Sequence, residues 1–94
     1  MNFTYRGKPI LPTKTALNEL SEIDLNLYEI PEILEKGLEI RKRAKNIVER
    51  GIQRGNKIIN VVVVDSGNYY KLIHAGEFTL SKKFKKLMRG KNGI

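Results

Sequence analysis

The hydrophobic pattern changes period along the chain. From Thr13 to Gly37 apolar residues recur at helical spacing, and from Asn46 to Gly76 they alternate or run together as in strands. Ala16, Leu17, Leu20 and Ile23 form one stripe, with Thr13 or Thr15 able to cap it, which predicts a helix over 14–22. Leu27, Ile30, Ile33 and Leu34 form a second stripe, capped by Asp24 or Asn26 and stopped by Gly37. Pro31 fits only near the start of that helix, because deeper inside it would remove a hydrogen bond and clash.

The strand signal centres on Val61 to Val64, four β-branched residues flanked by Ile58, Ile59 and Ile73. Gly55-Asn56 and Ser66-Gly67-Asn68 tolerate the positive φ that tight reversals need. Three antiparallel strands are therefore predicted near 45–54, 57–65 and 69–76. Residues 38–53 also fit a helical stripe through Ile40, Ala44, Ile47 and Val48; a strand is preferred because a central strand needs neighbours on both edges. Pro9 and Pro12 leave residues 1–12 as an ordered arm or edge strand. Leu80, Phe84, Leu87 and Met88 predict a basic helix over 79–90.

The resulting expectation is one α+β domain over residues 1–94. Two N-terminal helices pack on one face of a small antiparallel meander of three to four strands, followed by a basic C-terminal helix. Two-residue and three-residue turns set the registers: Ile52 opposite Ile59 and Val48 opposite Val63, then Val64 opposite Tyr70 and Asn60 opposite His74. Alternation then sorts the sheet into a helix-covered face (Val48, Ile52, Ile59, Val61, Val63, Ile73, Ala75) and an uncovered one. The uncovered face carries Arg41, Arg43, Lys45, Glu49, Asn60, Tyr70 and His74 beside Ile47, Val62, Val64 and Leu72.

Charge sharpens this picture. The net charge is +8 and unevenly spread: residues 15–40 hold seven acids and one base, 41–57 seven bases and one acid, and 79–94 six bases and no acid. Such a two-sided molecule attracts phosphate backbones on its basic side. There is no cysteine, and one histidine with acids on outer helix faces makes a bound metal or other cofactor improbable. No stretch reads as a signal peptide or a membrane span, so a cytoplasmic protein without a membrane partner is expected.

His74, the only side chain with an ordinary pKa near neutrality, is the candidate general acid or base. Arg41, Arg43 and Lys45 are candidates to cradle phosphates, and Tyr70 to stack a base.

The two N-terminal helices, the end of the second (Ile33 to Gly37), the basic first strand and a meander closing on Tyr70 to Phe78 together resemble the RelE/BrnT-like superfamily of small toxins, over about residues 13–78. The resemblance implies a sheet that binds mRNA, an antitoxin partner and, in many members, metal-independent endoribonuclease activity. Mapped onto this chain, it implies that His74 or Glu49 moves the proton. Arg41, Arg43 and Arg50 would steady the phosphorane charge, and Tyr70 would stack a base. The alternatives are a non-catalytic nucleic-acid-binding module and an interaction domain whose partner is a second copy of the chain.

Overall fold

The computed structural model describes residues 3–40 and 44–79. Strand β1 (Thr4–Tyr5) turns back into β2 (Lys8–Pro12) through Arg6 and Gly7, both at positive φ. Helix α1 spans Lys14–Glu22, and Thr13 caps it by accepting a hydrogen bond at Oγ1 from the Ala16 N–H at 3.1 Å. A 3-10 turn over Leu27–Glu29 leads into helix α2 (Ile30–Lys36). The Glu29 carboxylate accepts from the Asn26 N–H at 2.8 Å, Pro31 lies in the first turn and Gly37 ends the helix. Strands β3 (Leu38–Glu39), β4 (Ile47–Arg54), β5 (Lys57–Asp65) and β6 (Tyr70–Thr79) complete the order.

The expected fold class is corrected. Instead of a three- to four-stranded antiparallel meander, the strands make one mixed, curled sheet of six in the order β1-β2-β6-β5-β4-β3. The N-terminal arm is built into it, with β2 lying parallel to β6 through Ile10↔Tyr70, Leu11↔Lys71 and Pro12↔Leu72. Residues 38–39 form a short strand, so the second helix does not run on past Gly37. The predicted basic helix over 79–90 lies outside the described residues, apart from Thr79, which ends β6.

One face of the sheet meets the two helices. Ile59, Val61 and Val63 of β5, Leu72 and Ala75 of β6, Ala16 and Leu20 of α1, and Ile30, Ile33 and Leu34 of α2 form the core with Tyr5 and Ile10. Burying an aliphatic side chain of this size contributes about 1.5–3 kcal/mol relative to leaving it exposed. This layer fixes which way every sheet side chain points.

The β4–β5 register is the predicted one, from Ile47↔Val64 to Arg54↔Lys57. The β5–β6 register is corrected twice. The turn leaves four residues between Asp65 and its partner Tyr70, and a bulge between Val62 and Val63 makes Ile73 an extra residue. The longer turn reverses the facing of Tyr70 and Leu72, so both enter the core. The bulge then reverses β6 again, so His74, opposite Val62, stays on the side away from the helices while Ala75 packs inward.

Candidate functional site

The side of the sheet away from the helices is a series of cross-strand rows. Reading β4, β5 and β6 in turn, they are Ile47–Val64–Lys71, Glu49–Val62–His74, Gly51–Asn60–Gly76 and Gln53–Ile58–Phe78, with Leu11 of β2 beside Lys71. The expectation that this side is uncovered needs correction. Ile58, Val62, Glu49 and Asn60 are buried, whereas Lys71 and Leu11 are exposed and His74 is half exposed.

His74 sits where β6 loses its neighbour. Strand β2 accompanies β6 only as far as Leu72, whose carbonyl then accepts from the Thr13 N–H at 3.0 Å as the chain turns into α1. One helical stretch later the Glu19 carboxylate returns to the same edge. Oε1 accepts from the Ala75 N–H at 3.2 Å, and both oxygens lie 3.0–3.1 Å from His74 Nδ1. A carboxylate side chain thus continues the edge pairing that β2 abandons and fixes the imidazole as it does so. An ionised carboxylate only accepts hydrogen bonds, so Nδ1 carries the proton and Nε2 of the neutral ring presents a lone pair. Nε2 has no hydrogen-bond partner among the described residues.

Behind the ring lies a second polar pair. Asn60 Nδ2 donates to Glu49 Oε2 at 2.8 Å within the buried part of this side. The amide oxygen of Asn60 therefore points the other way, toward Gly76, where a Cβ would lie 3.4 Å from it and 3.1 Å from His74 Nε2. Asn60 and His74 are not opposite each other as predicted; Asn60 pairs with Gly76.

The other expected site residues divide sharply. Tyr70 is 4% exposed with its ring 5.1 Å from that of Tyr5, so it is a core residue and cannot stack a base. Glu49, 2% exposed, is out of reach of a substrate proton. Arg50 points to the helix side, where Nη1 donates to the Gly37 carbonyl at 3.2 Å and Nε is buried without a partner; it joins β4 to the end of α2 and does not face a nucleic acid. Lys45 is exposed in the turn before β4. Arg41 and Arg43 lie outside the described residues.

Two residues absent from the sequence reading belong to the site. Glu19 gave no local signal, because it is one of many acids on a helix surface. Lys71 is exposed in the row next to His74, two ladder steps along β5 or about 7 Å. It was hidden by the bulge, since strict alternation puts residues 71 and 74 on opposite sides.

The described residues hold all ten acids and nine of the eighteen bases, so the net positive charge comes from residues 41–43 and 82–91. Among the described residues, no group of three or more His, Asp or Glu converges as a metal site, and no helix is long and apolar enough to cross a membrane. Against known proteins, no family model, no curated relative and no solved structure matches this chain.

Proposed function

We propose that the protein acts on RNA as an endoribonuclease in which His74 moves the proton and Glu19 positions it. The observation that carries this reading is the Glu19–His74 pair: a carboxylate 3.0 Å from Nδ1 and an Nε2 left open on a half-exposed ring. A bare Nε2 is the acceptor a ribose 2′-hydroxyl needs. In the proposed step Nε2 takes the 2′-hydroxyl proton as the 2′-oxygen attacks the adjacent phosphorus. The bond from phosphorus to the 5′-oxygen breaks, water protonates that oxygen, and the imidazolium returns its proton to solvent. The products are a 2′,3′-cyclic phosphate and a 5′-hydroxyl. Glu19 stabilises the imidazolium meanwhile, and Lys71 supplies a cation beside the scissile phosphate.

The test is incubation of the pure protein with an mRNA in EDTA, followed by end-group analysis of the fragments. Cleavage should leave cyclic phosphate ends, fall about 10²–10⁴-fold in His74→Ala and roughly 10–100-fold in Glu19→Gln. Unchanged cleavage in folded His74→Ala, or none by the unaltered protein, defeats the proposal. A toxin-type role would add an antitoxin partner, for which a small open reading frame beside the gene is the check.

The second reading is a non-catalytic nucleic-acid-binding protein. It is favoured by one observation: the net charge lies in residues 41–43 and 82–91 rather than among the groups around His74. Salt-sensitive RNA binding without cleavage would select it.

A further inference from the structure

The missing side chain at Gly76 leaves a gap bounded by two hydrogen-bond acceptors. A Cβ there would stand 3.1 Å from His74 Nε2, 3.4 Å from His74 Cε1 and 3.4 Å from Asn60 Oδ1. Both acceptors are held from behind. Glu19 takes the Nδ1 proton of the ring, and the buried Glu49 takes the Nδ2 proton of the amide. Asn60 is only 7% exposed, and its Oδ1 accepts nothing from the described residues. The oxygen is not sealed off, since Arg50 Nε is the one buried side-chain polar atom without a partner among the described residues, so it stays open to a group that brings a proton to it.

We propose that the gap over Gly76 is a seat for one substrate hydroxyl, the ribose 2′-hydroxyl, with Asn60 as a positioning residue and Gly76 as the residue that keeps Nε2 reachable. This rests on the reading of the protein as acting on RNA. Among the described residues the gap meets two acceptors and no donor, so it takes an oxygen only if that oxygen carries its own proton, which Nε2 and the Asn60 amide oxygen then share. A 2′-hydroxyl satisfies this; a 2′-methoxy group has no proton to give and is too large, and a 2′-deoxy position offers nothing to bind. The seat therefore distinguishes RNA from DNA at the atom that must be deprotonated.

The test uses the single histidine as its own probe. In the NMR spectrum of the full chain, the lone His74 Cε1–H signal is followed on addition of a short oligoadenylate as RNA, as 2′-O-methyl RNA and as DNA. The RNA should shift the signal, and the other two should shift it little and bind roughly tenfold more weakly. In Gly76→Ala the new methyl group needs the ring to move by only a few tenths of an ångström, so the fold persists while the gap fills. The RNA-specific shift should disappear in that variant. Equal shifts with all three oligonucleotides, or an RNA shift that survives Gly76→Ala, would overturn the seat while leaving RNA binding intact. No shift with any of them would overturn both the seat and the RNA reading. The comparison of oligonucleotides on the unaltered protein stands even where the variant fails to fold.

Discussion

Strand β5 is shared by two hairpins of opposite character. With β4 it pairs through eight consecutive positions and a two-residue turn at Gly55-Asn56, with Gly55 at φ 64°. With β6 it pairs across a four-residue turn and a bulge. The regular hairpin puts side chains where alternation demands, and they are structural: Val48 and Ile52 against the core, and Arg50 tied to Gly37. The irregular hairpin brings His74 to an edge that a helix side chain can reach. A bulge re-aims a side chain at the cost of regular pairing, and here the first residue it re-aims is the chain's single histidine.

The strongest way to break this contrast is to disturb the regular side. Gly37 and Gly51 bring the end of α2 onto β4 so closely that a Cβ on Gly37 would meet the backbone oxygens of Ile33 and Gly51, the latter at 2.8 Å. Backbone atoms in a ladder cannot step aside. Gly37→Ala should cost about 3 kcal/mol, the upper part of the overpacking range and a large share of a small domain's stability. Urea unfolding measures it; a loss under about 0.5 kcal/mol would mean the helix end moves freely over the strand. The Glu19–His74 contact in the remaining folded molecules should be unaffected.

A smaller effect follows from making the irregular hairpin regular. Deleting Ile73 leaves Leu72 and His74 as successive residues opposite Val63 and Val62, so core and outer sides still alternate. Stability should fall by about 1–2 kcal/mol through the loss of a half-buried side chain. If the protein cleaves RNA as proposed, that cleavage should fall at least roughly tenfold, because the bend that carries the ring to Glu19 is lost. An unaltered His74 ring signal together with unaltered cleavage would show that the bulge has no part in positioning it.

These two hairpins also mark what the sequence could tell. Thr13, Pro31 and Gly37 carry their own local reasons for starting and stopping helices, and Gly55-Asn56 sets a register by itself. Each is decided within a few residues, and each element follows. The parallel pairing of β2 with β6 depends on residues sixty apart, and nothing in KPILP announces it. Turn length was the weak point: Ser66 to Asn68 reads as a three-residue turn, but the Ser66 N–H reaches the Tyr69 carbonyl at 2.9 Å and adds a fourth. That single residue sent Tyr70 inward. For His74 the error was cancelled by the bulge, so its side of the sheet was right while its neighbours were wrong. Glu19 was invisible for a related reason: its partner lies fifty-five residues away across a strand edge that only the assembled sheet defines.

The finest difference between the hairpins is how their turns are held, and it is open to a pH test. Gly55-Asn56 combines the glycine's positive φ with a neutral hydrogen bond from Gln53 Nε2 to the Gly55 carbonyl at 2.9 Å, whereas the β5–β6 turn is tied by the charged Asp65. Its carboxylate accepts from Lys8 Nζ at 3.0 Å and from the Gly67 N–H at 3.0 Å. The hydrogen bond from Lys8, then that from Gly67, with the charges of Lys8 and Arg6 adding to them, holds the Asp65 carboxyl below its ordinary pKa against an opposing desolvation. A depressed carboxyl pKa stabilises the folded state above the unfolded value, and that contribution is lost as pH falls through the folded value. For Asp65 the loss therefore begins near the ordinary aspartate range of about 3.9 and is complete below it. Asp65→Asn should lower the urea midpoint slightly at neutral pH, and the gap from the unaltered protein should narrow as pH drops through this range. Lys8 and Asp65 are both about one-third exposed, with side-chain exposures of 33% and 36%, so added salt should narrow it too. A gap that stayed constant from neutral to strongly acidic pH would mean that the turn owes nothing to the ionised Asp65 carboxylate.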